Sequence, residues 1–110
     1  MRHTNTTIYR RSLELVALTR ETIAALPTGH GFLADQIRRS SASVTLNFAE
    51  GSGKASSKER RRYFRIARAS VLETAAAFDV GAHLGAISEP ANEAAQDLCD
   101  HLSAMLHRYR

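Results

Sequence analysis

Residues 36–51 have the sequence QIRRSSASVTLNFAEG, and the spacing of the apolar side chains in and just before this stretch decides the fold class. Steps of four and seven residues separate Leu33, Ile37, Val44 and Phe48. Such steps place side chains on one face of a helix. The stretch therefore predicts a helix from about residue 32 to residue 49, with Gly51-Ser52-Gly53 at its end. Its serines and threonine are weak helix formers, so the prediction rests on periodicity.

The same periodicity continues on both sides of this stretch. Upstream, one helical face carries Ile8, Ser12, Leu15, Thr19, Ile23 and Leu26 before Pro27 stops the pattern. Downstream, a capping box formed by Ser56 and Glu59 begins a third helix, which continues to about His83 before Gly85. Its apolar stripe contains Phe64, Ala67, Val71 and Phe78, with Thr74 between them. Ser88 is a suitable N-cap for a fourth helix, whose seam contains Ala91, Ala95, Leu98, Leu102, Met105 and Tyr109.

Four helices with short connections predict an all-α fold, an antiparallel up-down-up-down four-helix bundle in which residues 1–110 form a single domain. The chain of 110 residues has the length of one domain, and its 44% hydrophobic content is typical of a folded protein. A single cysteine excludes an internal disulfide. With no membrane-length apolar run and no signal-peptide pattern, we expect a cytoplasmic protein without a membrane partner.

The charge of the chain is concentrated in one block. Residues 54–68 carry a formal charge of +6, and residues 69–110 carry −4, within a net charge of +4. A basic block of this kind indicates an acidic partner, which is either nucleic acid or an acidic protein surface such as the last third of another copy. The candidate nucleic-acid-binding residues are Lys54, Lys58, Arg61, Arg62, Arg65 and Arg68. Tyr63 lies among them and is expected either to stack on a base or to pack in the core.

Residues 36–51 also resemble the signature of a known family, the four-helix-bundle proteins related to the 23S rRNA intervening-sequence protein. That signature is approximately Q-L-R-R-A-A-x-S-I-P-x-N-I-A-E-G. The resemblance continues through Ser57-Lys58-Glu59 and on to residues 84–88, so it covers nearly the whole chain. Thr45 stands where the family has proline. The resemblance implies small helical bundles that assemble into rings, with a homopentamer expected, and no established catalytic activity. It also implies a possible link to nucleic acid, because a related bundle assists the reverse transcriptase of diversity-generating retroelements.

Polar residues of this signature form a separate group of candidates. Arg39, Ser43, Asn47 and Glu50 share one stripe of the predicted second helix. One interpretation is structural: Arg39 and Glu50 pair with other helices or other subunits, and Glu73 pairs with Arg38 or Arg39. The other interpretation is contact with a ligand or RNA. The structural interpretation is favoured, because polar helical stripes commonly fix packing geometry.

The sequence predicts no catalytic residues, no metal site and no cofactor. Gly51-Ser52-Gly53-Lys54 lacks the spacing, the Ser/Thr and the preceding strand of a nucleotide-binding loop. His83 lies four residues after Asp79, but two ligands are fewer than zinc normally uses. Cys99 is expected to be a partly buried small side chain and not a nucleophile. The predicted function is nucleic-acid binding through phosphates, and the alternative is a scaffold whose basic block docks a protein or a neighbouring subunit.

Overall fold

Helix-capping residues begin three of the four helices in the computed structural model, which describes residues 6–109. The helices are α1 (Thr7–Ala24), α2 (Gly31–Ser52), α3 (Ser57–His83) and α4 (Glu89–Arg108). The Oγ1 of Thr6 accepts a hydrogen bond from the Tyr9 amide at 3.1 Å and begins α1. Ser56 and Ser88 do the same for α3 and α4, as the sequence predicts. Residues 6–109 contain no strand, so the all-α prediction is confirmed.

The end of α2 differs from the prediction. The helix runs through Gly51 to Ser52, three residues beyond the predicted end. Gly53 follows with a φ of −89°, so it is not the left-handed cap that glycine commonly supplies. Gly85, after α3, does adopt that conformation, with a φ of +74°. Gly51 therefore lies within the last turn of α2, and its lack of a side chain allows Phe64 and Tyr63 of α3 to approach closely.

Each helix packs against two others: α2 against α1 and α3, and α4 against α3 and α1. Paired residues run in opposite order along neighbouring helices. Ser43 and Ser40 of α2 meet Ser70 and Thr74 of α3, and further along α3 the Ala75 carbonyl accepts from Gln96 of α4. The result is an antiparallel bundle with extents of 45 × 21 × 21 Å.

The predicted apolar stripes form the core. Phe48, Phe78, Leu15, Ile37 and Leu102 are among the largest fully buried side chains. Small hydroxyl residues between the helices complete it: Thr45 donates to Ser12 at 2.9 Å between α2 and α1. Because these hydroxyls pair across helix interfaces, as Thr74 also does with Ser40, the polar contacts fix the register of the bundle at little desolvation cost.

Candidate nucleic-acid interface

The antiparallel arrangement separates the charges of the chain into two ends. The half of the bundle with residues 6–14, 43–70 and 100–109 holds ten Lys and Arg and four acids. The other half, residues 15–42 and 71–99, holds three Lys and Arg and seven acids. Excluding histidine, the formal charges of the two halves are +6 and −4. The acidic residues that follow the basic block in the sequence, such as Glu89 and Glu93, therefore lie at the end of α4 that is remote from it. We call the positive half the basic end.

Two of the arginines at the basic end form hydrogen bonds that stabilise the fold. The Arg60 guanidinium donates to the carbonyls of Lys54 and Ala55, at 3.1 and 2.8 Å, and to Ser57 Oγ at 2.9 Å. It thereby holds the turn between α2 and α3. Arg68 uses its Nε to donate to the Ser103 carbonyl and Oγ, at 3.3 and 3.1 Å, which ties α3 to α4. Because only Nε is used, the Nη groups of Arg68 have no partner within residues 6–109.

The other predicted basic residues differ in how fully they are paired. Lys54 forms an ion pair with Glu50 at 3.0 Å, and the hydrogen bond with Glu50 raises the pKa of Lys54. Arg62 lies 4.0 Å from Glu59. Both cations also lie over the Tyr63 ring, at 5.3 and 5.2 Å from its centroid. Tyr63 is half-buried between them, so its ring is occupied by cations of its own chain.

Lys58, Arg61 and Arg65 are exposed on α3. In the part of the chain from residue 6 to residue 109, these three side chains form no ion pair. Arg61 and Arg65 lie four residues apart and therefore project from the same face of the helix. Their charges are available to a partner without breaking an existing contact, which distinguishes them from Lys54 and Arg62.

A groove of about 360 Å³ lies beside these arginines, between α3 and the end of α4. Arg61, Arg65 and Arg68 line its α3 side, and His107 and Tyr109 line its α4 side. Buried side chains of Phe64 and Leu106 also line it, so cationic walls surround apolar groups. A second groove, of about 390 Å³, shares Arg68 and His107 with the first and continues along the same pair of helices past Ser103. Sequence inspection missed the α4 side, because its residues lie about 40 positions from the basic block.

The polar signature residues mainly position α2 against α3 or pair locally. Asn47 donates to the Ser43 carbonyl and Oγ, both at 2.9 Å, and Ser43 contacts Ser70 across the helix interface. In place of the predicted partners on other helices, Arg39 pairs with Asp35 at 3.5 Å and Glu50 pairs with Lys54.

Glu73 also has a partner other than the predicted one. It accepts a hydrogen bond from Gln36 of α2, and not from Arg38 or Arg39. Arg38 is exposed. These polar residues do not line the α3–α4 groove. Glu50 contacts one of the basic candidates, Lys54, by its ion pair.

The remaining reactive groups do not form a site. Burial raises the pKa of the Cys99 thiol to about 12, which suppresses the thiolate. His83 Nδ1 lies 2.9 Å from the Asp79 carbonyl, and the Asp79 carboxylate accepts from Asn92. Across residues 6–109, no three His, Cys, Asp or Glu side chains are placed to hold a metal ion. Nor does any helix of that range have the length and apolar composition needed to cross a membrane.

Comparison with known families agrees with the resemblance found in the sequence. The family model of the 23S rRNA-intervening sequence protein matches residues 4–108. The chain belongs to this family. The match spans all four helices, so the arginine-lined groove and the signature residues of α2 both lie in a member of the 23S rRNA-intervening sequence protein family.

A solved structure shares the fold of this family member. It is a protein of unknown function from the S23 ribosomal protein family of Bacteroides thetaiotaomicron. The two chains align with a TM-score of 0.84 and 19% sequence identity, over 91% of this chain and 94% of the other. At that identity the likeness concerns the fold alone. No curated protein matches the sequence.

Proposed function

We propose that this protein is a non-enzymatic, oligomeric helical bundle that binds RNA or other nucleic acid through phosphates at its basic end. The observation that carries the proposal is the separation of charge along the bundle, with Lys58, Arg61 and Arg65 exposed and unpaired within residues 6–109. Guanidinium groups match the geometry of phosphate oxygens, and each phosphate they neutralise releases counterions. The family name, which refers to 23S rRNA, supports RNA as the first nucleic acid to test.

Binding of this kind positions the protein on nucleic acid without selecting a base sequence. Lys58, Arg61 and Arg65 all lie on α3, on a rigid helix of 27 residues. Their spacing is therefore fixed before a ligand arrives, which lowers the entropic cost of binding. We also propose that the protein is cytoplasmic, because its proposed partner, RNA, is present in the cytoplasm.

Self-association is part of the proposal. A ring, with a homopentamer as the expected form, follows from the family resemblance. Large apolar side chains on the outside of the bundle support it, because an assembly would cover them: Phe32 is 63% exposed, Leu46 68% and Leu84 53%. Light scattering on the purified chain measures the stoichiometry directly.

The nucleic-acid proposal is tested by a salt titration with matched variants. Arg61→Ala/Arg65→Ala removes two unpaired cations from the basic end. Arg20→Ala/Arg38→Ala removes two exposed arginines from the other half and changes the net charge equally. For single-stranded RNA, the slope of log K against log salt falls by about 0.7 per lost phosphate contact. The first variant is thus expected to lower the slope by about 1.4, which is roughly a 25-fold loss of affinity at 0.1 M salt.

The control variant is expected to bind as the wild type does. Fluorescence anisotropy with a labelled single-stranded RNA at 50–300 mM salt measures both quantities. The proposal fails if no RNA binds at low salt, or if the two double variants lose affinity equally.

The scaffold function is the alternative, and the seven acids of the opposite half favour it, because they offer a complementary surface to a second copy. Under that alternative, Arg61→Glu/Arg65→Glu changes the oligomeric state measured by light scattering. Loss of RNA binding with an unchanged oligomer excludes the scaffold as the role of these arginines.

A further inference from the structure

We infer that the groove between α3 and α4 binds single-stranded nucleic acid by accepting an unpaired base, with the flanking phosphates on the guanidinium groups. The inference deepens the proposed function and rests on it. It assigns a single-stranded ligand with an unpaired base to this groove. The charge separation by itself predicts only that the basic end attracts polyanions of any kind.

The composition of the groove favours a base over a phosphate alone. The half-buried Tyr109 ring, packed edge-to-face on buried Phe64 with the ring centroids 5.1 Å apart, presents aromatic surface between the cationic walls. An inorganic anion makes no favourable contact with an apolar surface, and it binds equally well to the exposed face around Lys58. A nucleotide has both chemistries, a flat apolar base and an anionic phosphate. Sites for single strands combine these same two features, aromatic or apolar platforms and a positive groove.

The geometry of Arg68 provides a fixed phosphate contact at this place. Its guanidinium is oriented by two hydrogen bonds from Nε to Ser103, and its Nη groups form no hydrogen bond within residues 6–109. An arginine held in this way loses little side-chain entropy when it binds a phosphate. Arg65 and Arg61, one and two turns earlier on the same helix, supply two further donors.

The size and continuity of the groove suit a single strand. A volume of about 360 Å³ is near the lower end of the range for small-molecule pockets, about 300–1,000 Å³, and takes a group of nucleotide size. A paired base is stacked on both faces and reaches such a pocket only by leaving the helix. The second groove shares Arg68 and His107 with the first, which gives successive nucleotides a continuous path along α3 and α4.

The test compares three oligonucleotides of equal length on the full chain at 50 mM salt. They are a 12-nucleotide single-stranded RNA, its duplex with the complementary strand, and an abasic strand that keeps the phosphates. Stacking of a single base predicts that the RNA strand binds roughly 5- to 150-fold more tightly than the abasic strand. The strand is also expected to bind more tightly than the duplex.

Two variants locate the base. Tyr109→Leu keeps apolar volume but removes the ring, and it is expected to reduce the difference between the RNA strand and the abasic strand. If this variant loses its helical circular dichroism, His107→Ala tests the same groove at an exposed position. His107→Ala is expected to reduce the same difference between the two strands, whereas His83→Ala, on an exposed site at the other half, leaves it unchanged.

The outcomes separate this inference from the proposed function. Equal affinity for the RNA and abasic strands, or tighter binding of the duplex, overturns the groove inference while phosphate binding stands. No binding by any of the three oligonucleotides overturns both.

Discussion

Replacing Gly51 by alanine tests the closest contact between α2 and α3. A Cβ at this position would lie 2.8 Å from Phe64 Cε1 and 2.9 Å from Tyr63 Cβ. Tyr63 Cβ is bonded directly to the backbone, so a rotamer change cannot move it away. The two helices must separate by several tenths of an ångström, and overpacking of this kind costs roughly 1–3 kcal/mol.

Gly31→Ala is the matched control for this substitution. Gly31 lies in the same helix, and a Cβ there meets no atom within 4 Å. Both positions lie in the terminal turns of α2, where the gain in helix propensity is smaller than the roughly 0.5–1 kcal/mol of a helix interior. The difference between the two variants therefore isolates the steric cost, and Gly51→Ala is expected to be less stable than Gly31→Ala by roughly 1–3 kcal/mol.

Thermal unfolding followed by circular dichroism measures this difference. For a domain of this size, each kcal/mol lowers the Tm by about 4–8 °C. Both variants are compared at one protein concentration, because self-association would itself raise the Tm. If Gly51→Ala melts at or above the temperature of Gly31→Ala, the close approach of α2 to Phe64 and Tyr63 is refuted.

Three further outcomes follow from the core. Phe48→Ala is expected to lose about 3–5 kcal/mol in urea unfolding, because Phe48 is fully buried, whereas Arg20→Ala, at an exposed site, changes stability by less than about 0.5 kcal/mol. Thr74→Val is expected to cost about 1–3 kcal/mol in the same assay, because it removes the hydroxyl that hydrogen-bonds to buried Ser40. Cys99 is expected to resist a thiol reagent at pH 8 until urea unfolds the chain. Since folding raises the pKa of Cys99 from 9.0 to about 12, its stabilising contribution is complete below pH 9 and declines towards pH 12. Comparing the stability of wild type and Cys99→Ala across that range measures the decline.

Periodicity and capping predicted most of the fold. The stripes of α2 and α3 are buried as the spacing requires, and Ser56 and Ser88 cap the helices that they were predicted to begin. These features depend on residues within one or two turns of each other, so a single sequence contains them. The end of α2 was placed too early, because glycine is read as a helix stop, whereas Gly51 is required where two helices touch.

The candidate site was less accessible to sequence reasoning. The block of cations on α3 is visible in the sequence, but its division into paired and unpaired side chains depends on neighbours such as Glu50 and Ser103. Likewise Glu73 pairs with Gln36 and not with Arg38. Which of the two residues faces Glu73 depends on the rotation of α2 about its axis relative to α3. Contacts of this type are set by helix register, which local spacing does not specify.

The length of the bundle has an electrical consequence. Its long axis measures 45 Å, whereas the Debye length at physiological ionic strength is about 8 Å. Mobile ions therefore prevent the acidic half from cancelling the potential at the tip of the basic half, although both belong to one small molecule. A polyanion within about one Debye length of the surface is attracted to the basic end and repelled by the acidic half. Encounters at the end that carries Arg61 and Arg65 are therefore favoured over encounters at the other end.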